Sequence, residues 1–276
     1  MAKSATVDGI YCEIHPGPPG APSVIMSSGL GGSGSFWAPQ MKALTQHFDV
    51  ILYDHRGTGR SARALPKSLT YSVDQMAEDI VAVMDAVGLQ SASVVGHAAG
   101  GLAGLALALN NPERLERLVV VNGWSQPDPH IARCFETRIA LLKNTGPLAY
   151  IRAQPIFLYP ANWISQNSSL LEAEESHMVA GFPTNEVMLA RIGALLAFDI
   201  DARLSRIDTP VLLSASADDM LVPVLCSRRM ARLLPRATLD VVPWGGHAFT
   251  ITAAHAFNES LIAYLSGKPL PSPSEI

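Results

Sequence analysis

The chain has 276 residues, enough to bury one large core with a small inserted subdomain, and 48% hydrophobic against 16% charged residues excludes a disordered chain. With 20 Lys and Arg against 24 Asp and Glu, the formal net charge is −4, and no basic run marks a nucleic-acid binder. The three cysteines, Cys12, Cys134 and Cys226, are far apart and odd in number, which gives neither a disulfide framework nor a metal-ligand spacing.

The first residues carry no apolar segment of the secretory kind, so no signal is expected and a reducing cytoplasm is the expected compartment. Val7 to Ile14 and Ser23 to Met26 read as β-prone runs joined by the turn-rich Pro16-Gly17-Pro18-Pro19-Gly20, an antiparallel lead-in to a sheet. The rhythm then changes. Val50 to Tyr53, Ser93 to Val95, Leu118 to Val121, Val211 to Leu213 and Leu239 to Val242 are mostly continuous apolar runs, as strands buried on both faces should be.

Helices fall between them. Ser72 and Gln75 have capping-box spacing, and Val73, Met76, Ala77, Ile80, Val81, Met84 and Val87 recur at helical intervals until Gly88. Further helices are predicted over Leu102 to Asn110 and Ala253 to Leu265. Val94 to Leu109 is the most apolar stretch, but it holds four glycines and His97 and falls short of the ~18 apolar residues that a membrane span needs. The fold expected is an α/β one, a mostly parallel sheet of about eight strands with helices on both faces. Residues 1–124 and 198–267 would form the core. Residues 125–197 lack strand rhythm and carry helical, aromatic-rich segments, which predicts a helical cap over the strand ends. Residues 268–276 are expected to be a frayed tail.

Val94 to Gly101 runs from a strand through a glycine-rich turn into a helix, the outline of a nucleophile elbow, Gly-x-Ser-x-Gly. Its central residue is Ala98, which has no lone pair and cannot form an acyl-enzyme. Ser28-Gly29-Leu30-Gly31-Gly32 follows the strand ending at Met26 and matches a loop lending an N–H to an oxyanion hole, with Leu30 as one donor and Ala99 as the second. Late in the chain, Asp218-Asp219-Met220-Leu221-Val222-Pro223 and Gly245-Gly246-His247 each follow a strand, so one of Asp218 and Asp219 fills the acid position and His247 the base position, in the order nucleophile, acid, base. His97 is expected to be a packing and hydrogen-bonding residue.

Together these motifs resemble the α/β-hydrolase superfamily from Ser23 to Leu265. Asp219 is preferred as the acid because its Asp-x-x-Val-Pro spacing resembles that superfamily's acid, and Asp218 is expected to face solvent or to cap the following turn. A narrower set resembles the family of protein D of the pyrimidine-utilisation (Rut) pathway: Gly29 to Ser35, Val95 to Ala98, Val121 to Trp124, Arg133 to Phe135, Ala153 to Pro155, Phe157 to Ala161 and Gly245 to Ala248. That resemblance implies a hydrolase of a small C–N compound from the degraded uracil ring, carbamate or aminoacrylate. Within it, Ala98 departs from the wider superfamily's serine, either as the native residue or as an introduced replacement. Trp124, Arg133 and Arg138 are the candidate substrate-binding residues, Trp124 standing where it either lines the pocket or fills the core. No metal or organic cofactor is expected. The expected partner is a small-molecule substrate, with no nucleic acid and no membrane, and a homodimer stays open.

Three other readings stay open beside base-catalysed hydrolysis. A cofactor-independent oxygenase or lyase would use the same His–Asp pair, a serine hydrolase could carry an engineered alanine, and a non-catalytic binding protein would need only the pocket.

Overall fold

The computed structural model describes residues 3–65 and 71–271. Its opening is a hairpin, β1 (Lys3–Val7) and β2 (Ile10–His15), followed by β3 (Ser23–Ser27), α1 (Ala38–Leu44) and β4 (Asp49–Tyr53). The run from Val7 to Ile14 is therefore two strands. Asp8 and Gly9 between them have φ of 47° and 78°, the two positive angles of the tight turn that matches the strands' twist, and Val7 pairs with Ile10 across it. Apolar composition alone cannot reveal that break; the Asp-Gly pair does.

Next come α2 (Val73–Ala86), β5 (Ala92–His97), α3 (Ala99–Asn110) and β6 (Leu115–Val121). Ser72 Oγ accepts the Gln75 N–H at 3.1 Å and starts α2 as the spacing predicts, whereas the Gln75 side chain reaches Asp79 instead of closing the box. Five helices then follow without a strand: α4 (Pro129–Asn144), α5 (Pro147–Leu158), α6 (Ala161–Gln166), α7 (Ser168–Gly181) and α8 (Asn185–Leu196). The chain returns through β7 (Val211–Ser216), α9 (Val224–Leu233), β8 (Ala237–Val242), α10 (Phe249–Thr252) and α11 (Ala254–Leu265).

Among the described residues the eight strands form one sheet in the order β1-β2-β4-β3-β5-β6-β7-β8, antiparallel at the two pairings of β2 and parallel across the other five. Successive residues of the central strands feed opposite faces. Val94, Val120, Val211 and Leu213 pack with Met76, Ile80, Leu105 and Met230 of α2, α3 and α9, while Val95, Val119, Val121 and Leu212 pack with Leu44, Phe249, Phe257 and Leu261 of α1, α10 and α11. The parallel strands are continuous apolar runs because both faces are covered.

The helical insertion leaves and rejoins the core at one neck. Ser125 accepts the Ile200 N–H at 2.9 Å, and its hydroxyl donates to Asp201 at 2.7 Å. Beyond α11 the chain does not fray at once: Lys268 N–H returns to Ala263 O, and Leu270 packs on the second core face, because an apolar side chain there finds apolar surface. Residues 272–276 of the expected tail lie outside the described residues.

Candidate active site

At the end of β5 the chain turns through Ala98 at φ 44° and ψ −108°, angles that an L-residue adopts only when its surroundings enforce them. The enforcement is visible. Ala98 N–H donates to Val121 O at 2.8 Å, and Ala98 O accepts Leu102 N–H at 2.9 Å. A Cβ at Gly96 would collide with the Gly100 backbone, and one at Gly100 would collide with Ser27 O, so the strand, turn and helix pack closer than any other residue permits. This is the strand-turn-helix elbow with a methyl group at its tip. Ala99 opens α3, so its N–H is one of the helix amides with no intrahelical acceptor.

Asp219 and His247, the candidate acid and base, stand just after the ends of β7 and β8. His247 Nδ1 donates to Asp219 Oδ2 at 2.8 Å, while Asp219 Oδ1 accepts the N–H groups of Leu221 at 2.7 Å and Val222 at 2.9 Å. Both side chains are buried. With Nδ1 committed to the carboxylate, Nε2 is the ring nitrogen left free to accept a proton. The backbone of His247 is held in turn. Its carbonyl accepts His97 Nε2–H at 2.9 Å and Asn122 Nδ2–H at 2.8 Å, and Asn122 Oδ1 accepts Ser216 N–H, which ties β6, β7 and the histidine loop together.

His97 behaves as a packing residue but stands closer to the chemistry than its sequence position implies. Its ring lies edge-on to His247 with centroids 4.6 Å apart and contacts Phe36 on another side. Burial, reinforced by the nearby His247, pushes its pKa down to about 3, so it is a neutral donor to the carbonyl at physiological pH. Asp218 is exposed, as expected, and in addition its Oδ1 accepts the Ser216 hydroxyl at 2.6 Å and Gly246 N–H at 2.8 Å. It therefore clasps the acid loop to the histidine loop, because the chain after β7 turns its carboxylate toward the open amide of Gly246.

The insertion touches each of the three loops. His130, at the start of α4, donates from Nε2 to Met220 O of the acid loop at 2.7 Å, and Ala248 N–H of the histidine loop donates to Leu158 O at the end of α5. Arg191 of α8 donates from Nε to Leu30 O at 3.1 Å and from Nη2 to Gly29 O at 3.4 Å. Ala98, Trp124 and His247 are 5%, 1% and 2% exposed, so the arrangement is closed to bulk solvent.

The candidate substrate-binding residues divide. Arg133 lies on the exposed face of α4, and five residues at 100° each place it 140° around the helix from the buried Arg138. Arg138 donates to Tyr150 Oη, its guanidinium lies 4.8 Å from the Tyr150 ring centroid and 5.6 Å from that of Phe135, and its Nε is buried without a partner. Trp124 is buried 6.5 Å from Phe135, and its Nε1 is also unpartnered. Two orphaned donors thus flank one phenyl ring under the insertion. Among the described residues no group of three His, Cys, Asp or Glu is placed to hold a metal.

Sequence reasoning missed Arg191, Tyr71 and Asn122. The signal for Arg191 was its place in the apolar stripe Val187, Met188, Ile192 and Leu195, where an arginine is out of pattern. Asn122 follows a strand with φ 48°, a conformation asparagine tolerates better than most side chains.

A parallel sheet ending in an elbow, with an acid and a histidine after the last two strands, defines the α/β-hydrolase class. The model of the alpha/beta hydrolase fold family matches residues 22–254. The chain belongs to this family and, within it, to the group of RutD proteins. It is 66% identical over 265 residues to a protein of Caulobacter segnis and 63% identical over 267 residues to one of Caulobacter sp. K31, in each case covering 96% of this chain and 99% of the relative. Both are named "Putative carbamate hydrolase RutD". Among solved structures, the enol-lactonase of Burkholderia xenovorans LB400 superposes with a TM-score of 0.84 at 25% identity, covering 96% of this chain and all of that one.

Proposed function

We propose that this protein hydrolyses a C–N bond of a small anionic pyrimidine-degradation product, carbamate or aminoacrylate, by activating water directly. The observation that carries the reading is the buried His247–Asp219 pair beside an elbow whose central side chain is a methyl group. Nothing at position 98 can be acylated, so the attacking oxygen comes from water in the space a serine hydroxyl would fill. His247 Nε2 takes a proton from that water as it adds to the substrate carbon. With carbamate, the developing oxyanion is met by the N–H groups of Leu30 and Ala99, and the proton passes to the nitrogen as its C–N bond breaks, giving bicarbonate and ammonia. With aminoacrylate, the methylene carbon first takes a proton to give the imine, water adds at the imine carbon, and the nitrogen departs as ammonia to leave the 2-oxo acid.

The insertion serves as the cap that excludes bulk water, and Arg138 is the substrate's carboxylate anchor. Its unpartnered Nε and its buried charge both gain from an anion, since an unpaired buried donor costs about 1–3 kcal/mol. The relatives' names support the substrate class, and the fold supports a hydrolase.

The test is steady-state ammonia release from freshly prepared carbamate or aminoacrylate, corrected for spontaneous decay. The parent chain should exceed background, and His247→Ala should lower turnover by roughly 10²- to 10⁴-fold, the usual contribution of a general base. A parent at background, or a His247→Ala variant equal to it, removes the hydrolase reading and leaves a ligand-binding protein.

A further inference from the structure

Arg191 is fully buried, yet among the described residues no carboxylate lies within ion-pair distance of it; the buried Asp79, already paired with Arg56, reaches it only through space. Arg56, Arg60, Arg114, Arg152 and Arg229 each have an acidic partner. Taking a guanidinium out of water without a counter-charge costs several kcal/mol, so three neutral acceptors are a poor return for structure alone. Those acceptors are Tyr71 Oη at 2.6 Å, Leu30 O and Gly29 O. The charge is felt nearby: His55, pushed well below its ordinary pKa first by burial, is lowered further by Arg191.

The geometry of a peptide gives this contact its meaning. Gly29 C=O and Leu30 N–H belong to one planar trans unit, so they point in opposite directions. Gly29 O is held from behind by Arg191 Nη2 and by Gly32 N–H at 3.0 Å, which fixes the direction of the Leu30 N–H. A cation on the carbonyl also draws electron density through the amide and strengthens its N–H as a donor.

We propose that Arg191 is a positioning residue for the oxyanion hole, aiming and polarising the Leu30 amide from the cap side. The inference rests on the reading of Leu30 as an oxyanion donor. On this account the counter-charge missing from Arg191 arrives with the transition state, whose negative oxygen forms on the other side of the same peptide. The arrangement couples the insertion to catalysis, because a cap helix that moves away takes the anchor of the oxyanion loop with it.

The experiment compares Arg191→Met, Arg191→Lys, Arg191→Ala and Tyr71→Phe with the parent, each checked for a cooperative thermal transition. Losing one oxyanion donor outright costs 10²- to 10³-fold in kcat, so Arg191→Met should lose roughly 10- to 10²-fold in kcat with KM nearly unchanged. Arg191→Lys keeps a charge but not the fork and should fall between. Tyr71→Phe leaves both carbonyl contacts in place and should lose less than Arg191→Met. Millimolar guanidinium should restore part of kcat in Arg191→Ala and do nothing for His247→Ala. In ¹H–¹⁵N spectra the Leu30 amide should shift and exchange faster in Arg191→Met. Parent-like kcat in Arg191→Met, a loss confined to KM, or no guanidinium rescue overturns the positioning role while leaving the hydrolase reading intact. If the parent itself shows no turnover, the hydrolase reading and the oxyanion role fall together, an outcome distinct from a parent that turns over and an Arg191→Met that matches it.

Discussion

On the proposed mechanism, Asp219 separates two functions that usually fail together, orientation of the base and support of the fold. Its Oδ1 accepts two backbone N–H groups and its Oδ2 one imidazole N–H. In Asp219→Asn the two backbone donors hold the remaining oxygen at the Oδ1 position, which turns the amide nitrogen toward His247. That nitrogen donates, so His247 Nδ1 must be bare and Nε2 must carry the proton, the tautomer that cannot accept one from water. Turnover should fall about 10⁴-fold, the scale seen when an aspartate-to-asparagine change imposes the wrong tautomer. Stability should change little, about 1 kcal/mol, because all three contacts persist as neutral hydrogen bonds.

Asp219→Ala behaves differently. Three buried N–H groups lose their acceptor, and at about 1 kcal/mol each, the low end for an unsatisfied donor, the fold loses about 3 kcal/mol. At about 2 °C per kcal/mol for a chain of this size, the thermal midpoint should drop by about 6 °C. The assay pairs steady-state ammonia release with thermal unfolding followed by circular dichroism. An asparagine variant within tenfold of the parent's turnover, or an alanine variant as stable as the parent, would refute the reasoning.

Other outcomes follow from the same geometry. His97 stays neutral in the fold down to about pH 3 but takes a proton near pH 6.5 when unfolded, so the unfolded state binds more protons between those values and stability falls as pH drops through that window. Urea unfolding should show the parent losing up to about 1.4 kcal/mol per pH unit more than His97→Gln below pH 6, and parallel slopes would contradict it. Gly100→Ala forces a methyl group against Ser27 O and should cost about 3 kcal/mol in denaturant unfolding; an unchanged midpoint would mean the elbow is looser than described. Arg138→Met should raise KM for an anionic substrate roughly tenfold or more with a smaller effect on kcat, and an unchanged KM removes Arg138 from recognition.

The sheet and the elbow were legible because local chemistry specifies them. Continuous apolar runs mark strands covered on both faces, and Gly96 and Gly100 sit where the backbone closes on itself. His247 and a strand-end acid were legible through chain order, while Asp219 was separated from Asp218 only by the resemblance of its Asp-x-x-Val-Pro spacing. What escaped depends on contacts remote in sequence. Arg191 meets Leu30 across 161 residues, and nothing around Val187 to Leu195 names that partner. Arg133 and Arg138 looked alike until the helix placed them on different faces, and Asp218 found Gly246 only because two loops converge. The hairpin at Asp8-Gly9 was readable from its dipeptide, but the apolar run around it outweighed that signal.

Ala98 holds a backbone conformation that costs about 1–3 kcal/mol, yet its side chain supplies no reacting atom. What the turn delivers is therefore backbone: it carries the first free amide of α3 to the end of the sheet. On the proposed mechanism, the attacking water stands where a hydroxyl would otherwise be. Ala98→Ser adds one atom at the same angles, so stability should stay within about 0.5 kcal/mol. The new hydroxyl would occupy the water's place beside His247, converting direct attack into nucleophilic catalysis. With p-nitrophenyl acetate, Ala98→Ser should release a burst of nitrophenol stoichiometric with enzyme, and the parent should show none. A burst from the parent would mean that another nucleophile is acylated, and no burst from Ala98→Ser would mean that His247 does not reach the elbow; either result defeats the account of water activated above a methyl group.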